Sequence, residues 1–120
     1  MIRTASLCSF GLLALAACKG PDPNPLAWSM NVPRPYEPLT MCLARNVAPG
    51  YQMTPAIDQR GKVGGVLITE RGSGKKIGEY DVYAIDDNNS RLVFRSGNNT
   101  VGGSSYYEDQ ARGMASNCTG

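Results

Sequence analysis

Short runs rich in Val, Ile, Tyr and Thr alternate with clusters of Gly, Asn and Asp between residues 39 and 102. Such runs are typical of β-strands, and the clusters between them are typical of turns. Runs that follow one another in this way predict an antiparallel meander. The predicted strands are 39–47, 51–57, 63–71, 76–85, 91–95 and a short one at 100–102, which gives five or six strands. Pro55 predicts that the second of them is an edge strand or contains a bulge.

Two of these runs, 76–85 and 91–95, alternate between apolar and polar residues. Successive side chains of a strand point to opposite faces of the sheet, so the alternation predicts one buried face and one polar face. The side chains expected to face the core are Tyr80, Val82, Ala84, Leu92 and Phe94. The side chains expected to face outward are Glu79, Asp81, Tyr83, Arg91, Val93 and Arg95.

The C-terminal segment has a helical pattern. Ser105 and Glu108 have the S-x-x-E spacing of a capping box, which marks the start of a helix. An apolar stripe follows at helical spacing and consists of Tyr107, Ala111, Met114 and Cys118. We therefore expect a small α+β domain, in which an antiparallel meander packs one face against a C-terminal helix. An irregular C-terminal tail and a small all-β barrel are the alternatives.

The leader, residues 1–17, has the pattern of a signal peptide. Arg3 precedes a mostly apolar run, 5–17, that is too short to span a bilayer. The run ends in Leu-Ala-Ala-Cys at 15–18, which resembles the lipobox of bacterial lipoproteins. The resemblance is confined to the leader and implies that Cys18 becomes the first residue and carries a thioether-linked diacylglycerol and an N-acyl chain. Attachment through several acyl chains is stable. Ordinary secretory cleavage at the end of the run is the alternative.

The resemblance also implies a location in the bacterial cell envelope. Lys19 follows the lipidated cysteine, and in enteric lipoproteins a residue other than Asp there usually permits sorting to the outer membrane. Because the envelope is oxidising, we expect Cys42, in the first predicted strand, and Cys118, at the end of the helix, to form a disulfide. Two free thiols, one of them reactive, are the alternative.

Residues 18–38 are rich in proline, because six of the eight prolines of the chain lie between 21 and 38. Proline excludes a regular helix or a central strand. We therefore expect an extended stalk of about 20 residues, which could lift a domain of residues 39–120 at most about 60 Å from the membrane. Trp28 and Tyr36 are unusual in a spacer. They are expected either to cover an edge of the core or to contact a partner protein.

Several kinds of site are excluded or disfavoured by the residue types. The chain has no histidine, which removes Ser-His-Asp and Cys-His mechanisms and imidazole metal sites. The acidic loop 86–90 has Arg91 where a calcium loop needs Gly and Gly97 where it needs Glu. We expect no metal and no cofactor. The formal net charge of +2 gives no basis for nucleic-acid binding.

A lipid-anchored, non-enzymatic domain that binds an envelope protein or a cell-wall component is the function these patterns favour. Tyr106 and Tyr107 are adjacent on the predicted helix, so one of them must point away from its packed face and is a candidate partner contact. A structural accessory subunit of an envelope complex is one alternative. Lysozyme-inhibitor lipoproteins are similar in size, tether and disulfide, and provide another. A hydrolase acting on murein is a third, in which Glu79 would pair with Glu70 or Asp81.

Overall fold

The computed structural model describes residues 26–97 and 104–119, except for the side chains of residues 104 and 105. The elements in chain order are β1 (Leu26–Val32), α1 (Tyr36–Arg45), β2 (Tyr51–Asp58), β3 (Val63–Glu70), β4 (Lys76–Ala84), β5 (Ser90–Ser96) and α2 (Ser104–Thr119). The five strands form one antiparallel sheet in the order β1-β5-β4-β3-β2. The α+β class, the meander and the C-terminal helix are confirmed. The leader, Cys18 and the short strand expected at 100–102 lie outside the described residues.

Strands β2 to β5 lie where the strand-and-turn pattern predicted them. Pro55 is in β2, which is the last strand of the sheet order, and its missing N–H therefore costs no ladder bond to a further strand. Tyr80, Val82, Leu92 and Phe94 are all fully buried, as the alternation predicted. Val93 was expected to face outward, but it is only 2% exposed, in the middle of the sheet between its cross-strand partners Ser29 and Asp81.

The first predicted strand, 39–47, is wrong, because residues 36–45 form helix α1. Leu39 and Leu43 are both buried and are four residues apart, so the same apolar positions satisfy a helical period as well as an alternating one. Pro38 falls in the first turn of the helix, where a backbone N–H has no helical partner and proline is tolerated.

The expected stalk is also corrected, because residues 26–32, which were assigned to it, form strand β1 of the sheet. The seven residues of β1 contain no proline, and they pair with β5 at an edge of the sheet. Prolines flank this segment on both sides, and so they limit its length without preventing its pairing. Trp28 and Val32 on β1 are buried in the core.

The core lies between one face of the sheet and both helices. Its aromatic centre is formed by Trp28 and Phe94, whose rings stack with centroids 5.7 Å apart, and by Tyr80, whose hydroxyl donates to the backbone oxygen of Ala111 on α2. Burial raises the pKa of Tyr80, so this hydroxyl stays protonated and the hydrogen bond to α2 is kept. Neither of the two described helices packs on the opposite face of the sheet.

The two ends of the sheet bring different segments together. Because every strand is antiparallel to its neighbours, the end where β1 begins is also the end where β3 turns into β4. We call this the Leu26 end. The opposite end, where β2 turns into β3, β4 turns into β5 and α1 begins, is the Tyr36 end. Near the Leu26 end, the strands are paired in register: Leu26 lies opposite Arg95, Arg95 opposite Glu79, and Glu79 opposite Leu67.

The predicted disulfide is confirmed. Cys42 and Cys118 are 76 residues apart in sequence, and their sulfurs are bonded. Cys42 lies in helix α1, so the bridge joins the two helices instead of joining a strand to a helix. Asn46 donates its amide N–H to the backbone oxygen of Cys42 at 2.8 Å and fixes the end of α1 beside the bridge.

We expect reduction of this disulfide to destabilise the domain strongly. A crosslink that encloses a loop of this length removes about 4 kcal/mol of denatured-state entropy in the chain-entropy model. The melting temperature should therefore fall by more than about 10 °C, as measured by circular dichroism with and without reductant. Cys42→Ser and Cys118→Ser should lower it equally, and clearly unequal variants would contradict a purely structural bridge.

Close approach of α1 to β3 depends on Gly64. A Cβ atom at Gly64 would collide with the buried side chain of Thr40, whereas a Cβ at Gly65, on the other face, would be 3.7 Å from the nearest atom. Thr40 cannot move freely, because its hydroxyl donates to the backbone oxygen of Tyr36 at 2.7 Å.

Gly64→Ala should lower the free energy of unfolding by about 1–3 kcal/mol, as measured in urea. Gly65→Ala is the matched control and should be nearly neutral; equal losses would contradict this packing.

Candidate functional site

Trp28 is a core residue in the structure. Its side chain is 7% exposed, and its indole N–H donates to the backbone oxygen of Glu108 at 3.3 Å. The guanidinium of Arg112 lies over the ring, 5.3 Å from its centroid. The expectation that Trp28 covers an edge of the core agrees with this placement, and the alternative role as a partner contact does not.

Tyr36 borders a groove at the Tyr36 end of the sheet. We call it the Tyr36 groove; it has a volume of about 370 Å³, and its walls come from the start of α1, the turn before β3 and the loop after β4. The lining residues are Pro35, Tyr36, Glu37, Lys62, Ala84, Ile85, Asp86 and Asp87. These residues are far apart in sequence, and the sheet topology brings them together.

The loop that follows β4 forms one wall of the groove and is held by its own hydrogen bonds. Asp86 accepts from the backbone N–H of Asn88 at 2.9 Å and from the side-chain amide of Asn89 at 3.0 Å. These bonds lower the pKa of Asp86, so its carboxylate stays charged. On the facing turn, the backbone oxygen of Lys62 accepts from Ala84 at 3.1 Å and joins the two walls.

The groove combines apolar and acidic surface. Ile85 is 53% exposed, which is unusual for a large aliphatic side chain. Desolvation raises the pKa of the Tyr36 phenol, and the negative charges of Glu37 and Asp58 raise it further. The phenol therefore remains a neutral hydrogen-bond donor. With Glu37, Asp86 and Asp87 against one Lys62, the groove favours a ligand with positive charge and an apolar group.

The open face of the sheet carries an acidic pair, Glu79 and Asp81. The pair borders a shallow depression of about 320 Å³ whose floor includes Gly65. Lys76 lies 3.0 Å from Glu79, and Arg95 lies 2.9 Å from Asp81. The two carboxyl groups also lie close enough for each to shift the pKa of the other. Each acidic group therefore has a cation and the other carboxyl as partners.

Burial raises the pKa of Asp81 to about 6, and the hydrogen bond and charge of Glu79 act in the same direction against the opposing effect of Arg95. Burial also acts to raise the pKa of Glu79, but the hydrogen bonds from Lys76 and Asp81 and the nearby cations outweigh it, so the pKa of Glu79 is lowered. Glycosidases hold their two carboxyl groups about 5–9.5 Å apart, on either side of the scissile bond. Glu79 and Asp81 are two residues apart on one face of one strand, so they do not lie on opposite sides of a bond between them.

A tyrosine cluster lies at the Leu26 end and consists of Tyr51, Tyr106 and Tyr107. The rings of Tyr106 and Tyr107 meet edge to face with centroids 5.3 Å apart. Tyr106 is 58% exposed, whereas Tyr107 packs against the core, so one of the two adjacent tyrosines points outward as expected. Partial burial raises the pKa of Tyr51, and a hydrogen bond with Tyr106 raises it further. Sequence reasoning missed Tyr51, because it lies more than 50 residues from Tyr106.

Comparison of the chain with protein families, curated proteins and solved structures found no match. Neither helix of the described residues is long and apolar enough to cross a membrane. Within those residues, no group of three or more Cys, Asp or Glu side chains is placed to hold a metal ion. The function is therefore inferred from the residues of the chain itself.

Stability should depend on pH through Asp81. A raised pKa means that the folded state binds the proton more tightly, so the free energy of unfolding falls as the pH rises through about 6. Between pH 5 and 7 the wild type should lose about 1 kcal/mol more than Asp81→Asn in urea unfolding. Glu79 stays charged in this range. The exposed Asp87→Asn is the control, and its free energy of unfolding should change with pH as that of the wild type does. If Asp81→Asn showed the same pH dependence as the wild type, the assignment of this effect to Asp81 would be wrong.

Proposed function

We propose that the protein is a lipid-anchored protein of the bacterial envelope whose domain binds a basic segment of a partner protein in the Tyr36 groove. The main support for this proposal is the position of the groove, which lies at the end of the sheet opposite to the start of β1. The lipobox-like sequence at 15–18 supports the anchor, and the chemistry of the groove supports the choice of partner.

The folded domain begins close to the anchor. Leu26 follows Cys18 by eight residues, and a fully extended chain advances at most about 3.6 Å per residue. The start of β1 is therefore held within about 30 Å of the lipidated cysteine. This is about half the reach of the longer stalk expected from the proline content.

The groove lies on the far side of the domain from this attachment point. Strand β5 has seven residues and runs from the Tyr36 end to the Leu26 end. At about 3.4 Å per residue, the two ends are separated by roughly 20 Å or more. A partner in the Tyr36 groove would therefore bind at the end of the sheet opposite to the point where the tether joins the domain.

The residues that line the groove indicate the chemistry of its ligand. Pro35 and Ile85 offer apolar surface, and the carboxylates of Glu37, Asp86 and Asp87 exceed the single positive charge of Lys62. A short peptide segment with an apolar side chain next to Lys or Arg satisfies both features. Rim carboxylates steer such a segment, and buried apolar contact retains it.

The test of the binding site is site-specific photo-crosslinking in intact cells. A crosslinker at the exposed Ile85 should capture one defined partner, whereas the same group at Leu67, exposed on the open face, should not. The double variant Asp86→Asn with Asp87→Asn should lower the Ile85 crosslink several-fold. Glu108→Gln with Asp109→Asn, on α2 and outside the groove, removes the same number of charges and is the control. Equal capture from both positions, or no effect of the double variant, would contradict the groove.

The test of the anchor is mass spectrometry of the processed amino terminus. The expected species begins at Cys18 and carries acyl chains, and Cys18→Ser should remain unprocessed. An amino terminus with an unmodified cysteine would contradict lipid anchorage.

A further inference from the structure

The chain reaches the domain at one defined corner of the sheet. Leu26 is the first residue of the edge strand β1 and pairs across the sheet with Arg95. The turn from β3 to β4, residues 71–75, and the start of α2 lie at this same end. Whatever surface anchors the preceding chain lies within about 30 Å of the Leu26 end, because only eight residues separate Leu26 from Cys18.

Two cations extend from this end. Arg71 and Lys75 are both exposed in the turn between β3 and β4. The N–H of the Arg71 side chain donates to the backbone oxygen of Tyr51 at 3.1 Å, which fixes this residue at the tip and uses one of its five guanidinium donors. Such a group can bind phosphate oxygens with the remaining donors.

The carboxylates nearest to this turn have partners of their own. Glu70 accepts from the hydroxyl of Ser73 at 2.6 Å, and Glu79 pairs with Lys76 at 3.0 Å. The Tyr36 end differs, because its cations Arg60 and Lys62 share it with Asp58, Asp86 and Asp87. Glu108 and Asp109, early in α2, also lie toward the Leu26 end, so the excess of positive charge is confined to the turn 71–75, and an anionic surface is favoured at that turn.

Amphipathic and apolar groups accompany the cations. Tyr106 is 58% exposed and Leu26 is 51% exposed. Tyrosine is favoured at the level of lipid headgroups, because its ring is apolar and its hydroxyl is polar. Basic side chains near an anionic bilayer are attracted to it. A tether of eight residues also raises the effective concentration of this end at the membrane, so weak contacts suffice.

We propose that the Leu26 end docks on anionic phospholipid headgroups, with Arg71 and Lys75 on the phosphates and Tyr106 at the headgroup level. Docking orients the Tyr36 groove away from the bilayer. This proposal rests on the lipid anchor proposed above, and it adds a second, non-covalent contact with the membrane.

The experiment uses purified lipidated protein in vesicles. A membrane-impermeant amine reagent modifies lysines, and mass spectrometry follows Lys75 at the Leu26 end and Lys62 at the Tyr36 end. In vesicles containing phosphatidylglycerol, modification of Lys75 should be several-fold slower than in vesicles of phosphatidylcholine alone. Lys62 should react equally in both. High salt should remove the protection, because it screens the charges.

A pair of double variants tests the residues. Protection of Tyr106 from hydroxyl-radical oxidation should be lost in Arg71→Gln with Lys75→Gln and kept in Arg60→Gln with Lys62→Gln, the matched control at the other end. Thermal melts verify that both variants fold. Equal reactivity of Lys75 in the two vesicle types overturns the proposal, and so does protection that appears only after a soluble envelope fraction is added, since the occupant is then a protein.

Failure of the anchor and failure of docking give different results. If the native amino terminus carries no acyl chain, the proposed function fails, and docking is then measured on protein whose Cys18 thiol is coupled to a maleimide lipid. Protection of Lys75 in that sample supports docking independently, and its absence overturns it. If the native protein is lipidated and Lys75 is not protected, docking alone is wrong.

Discussion

Packing of Trp28 between the sheet and helix α2 holds the edge strand β1 in the domain. The indole stacks on Phe94, approaches Tyr80 with ring centroids 6.3 Å apart, and donates to the backbone of α2. Burial of a side chain of this size stabilises the fold by about 2–3 kcal/mol, and aromatic pairing adds to that. These contacts hold β1 in the sheet, although the prolines on both sides of it cannot donate a hydrogen bond to a neighbouring strand. The short connection to Cys18, and hence the position of the domain relative to an anchor, follows from them.

Much of the fold is predictable because local patterns and tertiary packing agree from residue 51 onward. Tyr80 and Val82 alternate with polar residues along β4, and both side chains pack in the core. The segment 39–47 was mispredicted because Leu39 and Leu43 fit either period, and only the packing of Thr40 against Gly64 shows which face α1 presents. Strand β1 was missed because proline content describes a region as a whole, whereas strand pairing depends on the seven residues between the prolines.

The candidate site is less predictable than the fold, since contacts between distant segments create it. Tyr36 was identified by its residue type, but Lys62 and Asp86 join it only through the order of the strands. The bond between Tyr51 and Tyr106 likewise has no local sequence signal. By contrast, the acidic pair is two residues apart on one strand, so sequence alone places Glu79 and Asp81 on one face. Their cations have different origins, because Lys76 lies beside Glu79 on the same strand, whereas Arg95 reaches Asp81 from the neighbouring strand, as the antiparallel pairing predicts.

These charge pairings explain why the Tyr36 groove suits a ligand better than the open face does. A ligand on the open face would have to bury Glu79, Asp81, Lys76 and Arg95, which already have partners there. Removing paired charges from water costs more than new contacts regain unless every partner is replaced. In the groove, Ile85 is apolar and exposed, so covering it removes apolar surface from water with no such penalty. The neutral Tyr36 phenol adds one donor at the edge of that surface. For the basic, apolar segment proposed as the ligand, we therefore expect binding at the groove and not at the depression beside Gly65, which is of similar size.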